Sequence, residues 1–138
     1  MKKMIVLVVF LSSISVILIG CQSNDKNRLP DEHVLKVSIS KSNGFGKVNA
    51  DFFTVYEDED TLDLFRDAIS SAVKKEGIAD MVEPEFDIKV VFKDGNKQGY
   101  HLWLGEKGQK STLMNVKDTH TIYSISETKT NPLIDLVK

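Results

Sequence analysis

Two Ser-x-x-Lys motifs have the spacing that comes nearest to a catalytic arrangement: Ser38 with Lys41, and Ser71 with Lys74. A lysine amine that takes the proton of a nearby serine would turn the hydroxyl into a nucleophile, as in some hydrolases. Enzymes built on this motif also carry Ser-Asp-Asn and Lys-Thr-Gly elements, and the nearest approach to them is at residues 129–131. No catalytic residue is therefore assigned, and a small envelope hydrolase using Ser38 and Lys41 remains an alternative.

Histidines and acidic residues could instead act as metal ligands. His33, His101 and His120 lack the close spacing of a preassembled zinc site. The acidic run 57–60 lacks the spacing and the turn glycine of an EF-hand calcium loop, and capping of a helix explains it. The sequence predicts no cofactor and no metal site, with a small-ligand or metal-binding protein as a third alternative.

Cys21, the only cysteine, carries the most specific chemical prediction. A positive start at residues 1–3 and an uncharged, mostly aliphatic run at residues 4–19 have the layout of a secretory signal peptide. The run is shorter than the roughly 20 residues that span a bilayer comfortably, which argues against an uncleaved anchor. Leu18-Ile19-Gly20 before Cys21 matches a bacterial lipobox, in which the thiol takes a diacylglyceryl group and cleavage falls between glycine and cysteine.

Three segments follow from this signal: a lipoprotein signal peptide at 1–20, an acylated cysteine and flexible tether at 21–33, and a single domain at 34–138. Cleavage of the signal peptide would remove two lysines and no acidic residue. The formal net charge would then change from −2 for the full sequence to −4 for the mature chain. This balance offers no basic face for nucleic acid. Acyl chains on Cys21, palmitate among them, predict a cell-membrane protein anchored by lipid on the extracytoplasmic side, since two chains anchor stably.

Hydrophobic periodicity then defines the elements that must position any site. Acids at 57–60 begin the clearest helix, which is predicted to run to Glu76, with Lys74 and Lys75 at the negative end of its dipole. A short C-terminal helix is predicted to begin at Pro132, with Asn131 as its cap. Alternating apolar and polar residues predict six strands, at residues 35–41, 52–56, 86–93, 99–104, 111–116 and 119–125. Grouped strands predict an α+β fold: one compact domain whose mainly antiparallel sheet carries both helices on one face.

One sheet face is a possible binding face. His101 and Trp103 alternate with Tyr100, Leu102 and Leu104, so they point away from the face that the helices are expected to cover. Lys89 and Lys93 could join them as a basic rim around an aromatic residue, which suits a protein or wall-polymer contact. The alternative is that Trp103 is packed under a loop or the terminal helix as part of the core.

The whole chain resembles the YhfM-like lipoproteins of Gram-positive bacteria. The lipobox, the stretch from Ser38 to Gly44, the acidic helix start, and the segments at 100–104 and 121–124 carry this resemblance. It implies a small, membrane-anchored α+β domain and brings no catalytic residues. The predicted function is a non-enzymatic binding or accessory module of the cell envelope, with an envelope protein or wall polymer as its possible partner.

Overall fold

Seven strands and two helices make up the part of the chain that the computed structural model describes, residues 32–77 and 80–138. Helix α1 spans Glu59–Ser70 and helix α2 spans Glu127–Val137. Gly20 and Cys21, the predicted cleavage and lipidation residues, lie outside the described residues. The strands, in chain order, are β1 Val34–Lys41, β2 Phe52–Tyr56, β3 Val73–Lys74, β4 Phe86–Phe92, β5 Lys97–Trp103, β6 Ser111–Asn115 and β7 Tyr123–Ile125.

All seven strands belong to one sheet in the order β2-β1-β4-β5-β6-β7-β3. Each neighbouring pair is antiparallel, so the predicted α+β fold with an antiparallel sheet is confirmed. The sheet has seven strands where six were predicted. Among residues 32–77 and 80–138, no helix is both long enough and apolar enough to cross a membrane.

Helix α1 starts where the acidic run predicted it but ends earlier. The Asp58 carboxylate caps it by accepting a hydrogen bond from the Thr61 amide at 3.0 Å, which also lowers the pKa of that carboxyl. The predicted continuation to Glu76 is wrong, because the helix ends at Ser70. Residues 73–74 pair instead with β7 at the sheet edge, where ladder hydrogen bonds override the local helix preference. Lys74 and Lys75 therefore do not lie in the last turn of α1.

Helix α2 begins before the predicted cap. Ser126 is the N-cap residue, and its carbonyl accepts hydrogen bonds from the amides of Lys129 and Thr130. Pro132 lies inside the helix, not at its first position as predicted. The ring nitrogen of Pro132 cannot donate an intrahelical hydrogen bond. A side-chain contact connects the first turn of α2 to the sheet. The Thr130 hydroxyl lies 2.9 Å from the Ser111 hydroxyl of β6 in a buried contact.

The hydrophobic core lies between the sheet and the two helices, on one face as predicted. Tyr100, at its centre, is fully buried and its hydroxyl has no hydrogen-bond partner among the described residues. Burial raises the pKa of Tyr100 to about 12, because a phenolate loses more hydration there than a phenol. The largest core side chains from the sheet and helices include Phe65, Ile39, Ile88, Leu102, Leu113, Ile125 and Leu133.

The opposite sheet face is covered by a loop. Residues 42–51, which connect β1 to β2, are called here the cover loop. Although β1 and β2 are neighbours in the sheet, the cover loop reaches β5, where the Gly46 amide contacts His101. This loop and the strands beneath it form the candidate site.

Candidate functional site

A buried carboxyl-imidazole pair lies beneath the cover loop. Asp87 on β4 and His101 on β5 are directly opposite each other in the ladder. The His101 Nδ1 atom lies 2.7 Å from Asp87 Oδ1, and both side chains are fully buried. Buried polar groups need such partners, because an unpaired one loses its hydration without compensation.

The cover loop supplies the remaining partners of this pair. The Asn49 amide donates to Asp87 Oδ2 at 2.8 Å, and the Gly46 amide donates to His101 Nε2 at 3.1 Å. A backbone N–H can only donate, so Nε2 must be the acceptor and the ring proton must be on Nδ1. This network assigns His101 as the neutral Nδ1–H tautomer, with both ring nitrogens occupied.

Phe45 closes the loop over the sheet. Its ring meets His101 edge-on at 5.8 Å between centroids and lies 6.1 Å from the ring of Trp103. Gly44 and Gly46 flank it with φ of 116° and 92°, a left-handed region that glycine enters without a Cβ penalty. These two glycines let the chain turn sharply and place Phe45 over His101.

Trp103 is covered from a second direction. Its indole N–H donates to the Val82 carbonyl at 3.0 Å, in the segment that leads into β4. Only 8% of the Trp103 surface remains exposed. The structure therefore buries His101 and Trp103, as in the second arrangement considered from the sequence, and does not leave them on an open face.

A cleft of about 220 Å³ adjoins the buried pair, and is called here the Lys89 cleft. Lys89 lies two residues beyond Asp87 on β4, so the two side chains point to the same face. The lining combines apolar side chains with two lysines and a glutamine: Val48, Ala50, Phe52, Lys89, Lys97, Gln98, Gly99 and Val116. No described carboxylate forms an ion pair with Lys89 or Lys97. The cleft thus offers apolar contact together with unneutralised positive charge.

Gly99 lets the cover loop approach the sheet. A Cβ at this position would lie 2.6 Å from Val48 Cγ2 and 2.9 Å from Val116 Cγ2, well inside van der Waals contact. Only a residue without a side chain fits between these two valines in this arrangement. Gly99 therefore helps to set the position of the loop and the shape of the cleft.

The four residues of the predicted binding face differ in burial and in location. His101 and Trp103 are buried, Lys89 is half-buried in the Lys89 cleft, and Lys93 is exposed on the β4–β5 turn. The structure does not bring Lys93 to the cleft. A binding role for these residues stays a prediction.

Sequence reasoning missed Asp87 and Lys97. The predicted hairpin turn around Gly95 fixes the register of β4 and β5. In that register Asp87 lies opposite His101, and Lys97 lies opposite Val91. Extending that register along both strands would have found the buried pair. No local sequence pattern indicates that the amides of Gly46 and Asn49 donate to the buried pair.

The alternative pair of Ser38 and Lys41 is not assembled. An odd separation along a strand sends side chains to opposite faces. Lys41 lies over the ring of Phe86, with Nζ 4.7 Å from its centroid, while Ser38 is opposite Lys89 in the ladder. The proposed serine-lysine hydrolase is therefore not supported by the geometry.

Ser40, Asp87 and His101 share one row across β1, β4 and β5, but they do not form a catalytic triad. In a triad the histidine lies between the serine and the acid. Here Asp87 is in the middle, and the Ser40 hydroxyl donates to the Asn49 carbonyl at 2.7 Å. Among residues 32–77 and 80–138, no group of three or more His, Cys, Asp or Glu side chains is placed to hold a metal ion.

Known proteins resemble this chain in sequence family and in fold. The sequence model of the YhfM protein family matches residues 31–138, which confirms the predicted family. The crystal structure of a thioesterase-like protein from Clostridium sporogenes is similar with a TM-score of 0.60 and 21% identity, covering 75% of this chain and 93% of that chain. At that identity the likeness shows a shared fold alone. No curated protein matches the sequence.

Proposed function

Since this chain belongs to the YhfM protein family, we propose that it is a non-enzymatic binding module, anchored by lipid on the outer side of the cell membrane. Its site is the Lys89 cleft, and its ligand is a small molecule, or part of a larger one, that joins an anionic group to an apolar body. The observation that carries this proposal is the cleft's combination of apolar walls with Lys89 and Lys97, neither of which has an ion-pair partner in the described chain.

The size of the cleft restricts the ligand. At about 220 Å³ it is smaller than the roughly 300–1,000 Å³ of typical sites for drug-sized molecules. It suits one ring or a short acyl chain with an acidic group. One such group on an envelope protein or wall polymer would also fit, with the rest of the partner lying outside the cleft.

The anchor supports a role at the membrane surface. Acylation of Cys21 would leave a polar tether of about a dozen residues before the domain. A flexible segment of that length has an end-to-end distance of about 20 Å. The Lys89 cleft would then operate close to the membrane, where envelope partners are available.

The binding test compares ligands that differ only in charge. The full chain, labelled with ¹⁵N in a non-ionic detergent, is titrated with benzoate, benzyl alcohol and benzylamine while amide shifts are followed. We expect saturable shifts at Gln98, Gly99 and Val116 with benzoate. Benzyl alcohol should bind about fivefold more weakly, the equivalent of about 1 kcal/mol for a solvent-screened ionic contact.

Matched lysine variants make this test specific. Lys89→Gln with Lys97→Gln should abolish the preference for benzoate, whereas Lys93→Gln should retain it because Lys93 lies outside the cleft. Benzoate shifts scattered over the surface, or equal affinity for benzylamine, would contradict the proposed site.

A hydrolase is the second candidate, favoured by the Asp87–His101 pair and by the fold shared with a thioesterase-like protein. An acid that orients histidine through Nδ1 leaves Nε2 to accept a proton from water. Attack of the resulting hydroxide on a thioester carbonyl would expel a thiolate, which then recovers the proton. In this structure Nε2 accepts from Gly46, so the cover loop would have to move first.

Thiol release from an acyl thioester distinguishes the two functions. Hydrolysis above the buffer rate that is lost in His101→Gln and kept in His120→Gln would establish the hydrolase, because His120 is exposed and is not a member of the hydrogen-bonded pair. Far-ultraviolet circular dichroism of both variants checks that they fold. A rate equal to that of buffer leaves the binding module as the function.

A further inference from the structure

A second positively charged hollow lies at the other end of the sheet. It encloses about 330 Å³ and is called here the lysine-serine pocket. Three lysines, three serines and one valine line it: Ser71, Val73, Lys74, Lys75, Lys110, Ser124 and Ser126. The Lys89 cleft borders β4 and β5, whereas this pocket lies beside β7 and the edge strand β3.

Three separate segments converge on the lysine-serine pocket. The segment after α1 brings Ser71, Lys74 and Lys75 to the edge of the sheet. Its position is held by ladder pairs between β3 and β7, and by the hydrogen bond from the Lys75 amide to the Ile122 carbonyl at 2.9 Å. Lys110 comes from the β5–β6 connection, immediately before β6. The third segment is β7 with the residue after it, which supplies Ser124 and Ser126. The convergence therefore depends on the tertiary fold.

The positive charge in this pocket is not neutralised within the described chain. Lys36 and Lys129 form ion pairs with Glu57 and Asp67, but neither Lys74, Lys75 nor Lys110 does so among residues 32–77 and 80–138. No acidic residue of the described chain lines the pocket, although the whole sequence contains more acidic than basic residues. The β3–β7 register places Ser124 opposite Val73, and Lys75, two residues beyond Val73, points to that same face, whereas Lys74 points to the other. Lys75 and Lys110 thus line one hollow as like charges without an ion-pair partner among the described residues. An anion there would reduce the repulsion between them.

Two simpler roles for these lysines explain only part of the cluster. Lysines on an edge strand discourage pairing with other chains, and β3 is an edge strand. That role does not require Lys110, which belongs to another segment. Compensation of the α1 dipole is also insufficient, because that effect fades beyond the last helical turn and α1 ends at Ser70.

We propose that the lysine-serine pocket binds a phosphate group. Lysine ammonium groups bind phosphate as compact point charges, and serine hydroxyls can donate to its oxygens. The Ser124 hydroxyl makes no hydrogen bond to another described residue and is free to donate. The group can be free inorganic phosphate or the phosphoester of a larger molecule, such as a lipid headgroup.

The test titrates the ¹⁵N-labelled full chain, in a non-ionic detergent, with inorganic phosphate and with glycerol 3-phosphate. We expect saturable amide shifts at Lys75, Lys110 and Ser124, with an affinity that falls as sodium chloride is raised, because salt screens the attraction. Binding of glycerol 3-phosphate at least tenfold tighter than phosphate identifies a phosphoester ligand. Equal affinities identify free phosphate.

Variants of matched charge decide whether the pocket is responsible. Lys75→Gln with Lys110→Gln should weaken phosphate binding about tenfold, in line with the loss of two charged contacts of about 0.7 kcal/mol each. Lys107→Gln should leave it unchanged, since Lys107 is exposed in the same connection but does not line the pocket. The proposal is overturned if neither phosphate compound gives saturable shifts, or if Lys107→Gln weakens binding as much as the double variant. Lys89→Gln with Lys97→Gln should have no effect, so this result is independent of the proposed Lys89 cleft function.

Discussion

The Nδ1 atom of His101 lies 2.7 Å from the Oδ1 atom of Asp87, with neither side chain exposed to solvent. The Gly46 amide on Nε2 and the Asn49 amide on Asp87 Oδ2 complete the network. One polar pair thus connects two central strands to the loop above them. Its integrity should determine both the stability of the domain and the position of the cover loop.

Removing His101 should strongly destabilise the domain. His101→Ala leaves the buried carboxylate of Asp87 without its main hydrogen-bond partner, and leaving such a group unpaired costs about 1–3 kcal/mol or more. Urea unfolding would measure this loss. His120→Ala is the control, and should change the free energy of unfolding by about 0.5 kcal/mol or less because that residue is exposed. Equal effects of the two substitutions would contradict the inferred network.

Trp103 and Phe45 should contribute differently to stability although their rings are in contact. Trp103→Ala removes a nearly buried ring and an indole hydrogen bond, so a loss of about 3–5 kcal/mol is expected. Phe45 is 44% exposed, and Phe45→Ala should cost about 1 kcal/mol. Denaturant midpoints of both variants give the comparison. A Trp103→Ala protein as stable as the parent would indicate an open face.

Tyr100 should make stability depend on alkaline pH. Its pKa is raised from 10.0 to about 12 in the folded chain. Below pH 10 the phenol is neutral in both states, and its full contribution to the free energy of unfolding is present. As pH rises from 10 to 12, Tyr100 ionises in the unfolded chain before it does so in the folded chain. The free energy of unfolding should therefore fall by about 2–3 kcal/mol. Tyr100→Phe should remove this part of the pH dependence and keep the part that comes from Tyr123, whose pKa is also raised by burial. Near neutral pH that variant should be at least as stable as the parent, because it deletes a buried hydroxyl that has no hydrogen-bond partner among the described residues.

Gly99→Ala should disturb the cover loop and the Lys89 cleft together. The added methyl group would press on Val48 and Val116, and overpacking of this kind costs about 1–3 kcal/mol. Thermal unfolding measures the stability, and benzoate titration measures the cleft. Gly95→Ala is an informative comparison, since Gly95 has open space but a φ of 89°. It should lower stability through backbone strain without changing benzoate binding.

Cys21→Ala should release the protein from the membrane if Cys21 is the lipid anchor. Fractionation of cells would show the variant in the soluble extracytoplasmic or secreted fraction and the parent in the membrane fraction. The domain should stay folded, because Cys21 precedes residues 32–138 and is the only cysteine. Membrane retention of the alanine variant would contradict lipid anchoring.

The sequence alone determined those features that depend on local periodicity. Alternation along β4 and β5 separated the helix-covered face from the face of His101 and Trp103, and the turn at Gly95 defined the hairpin. The acidic run correctly marked the start of α1. These patterns were reliable because side-chain direction in a strand repeats every two residues and helix caps act within one turn.

Only the tertiary structure decided what covers each face and where α1 ends. Gly46 and His101 are 55 residues apart, so no local pattern could show that a loop amide occupies the imidazole. Residues 71–76 fit a helical pattern, but β7 offered a hydrogen-bonded edge that redirected two of them into β3. The same pairing brought Lys74 and Lys75 towards Lys110. Both candidate sites depend on contacts between residues distant in sequence, and at the lysine-serine pocket such contacts outweighed a local helix preference.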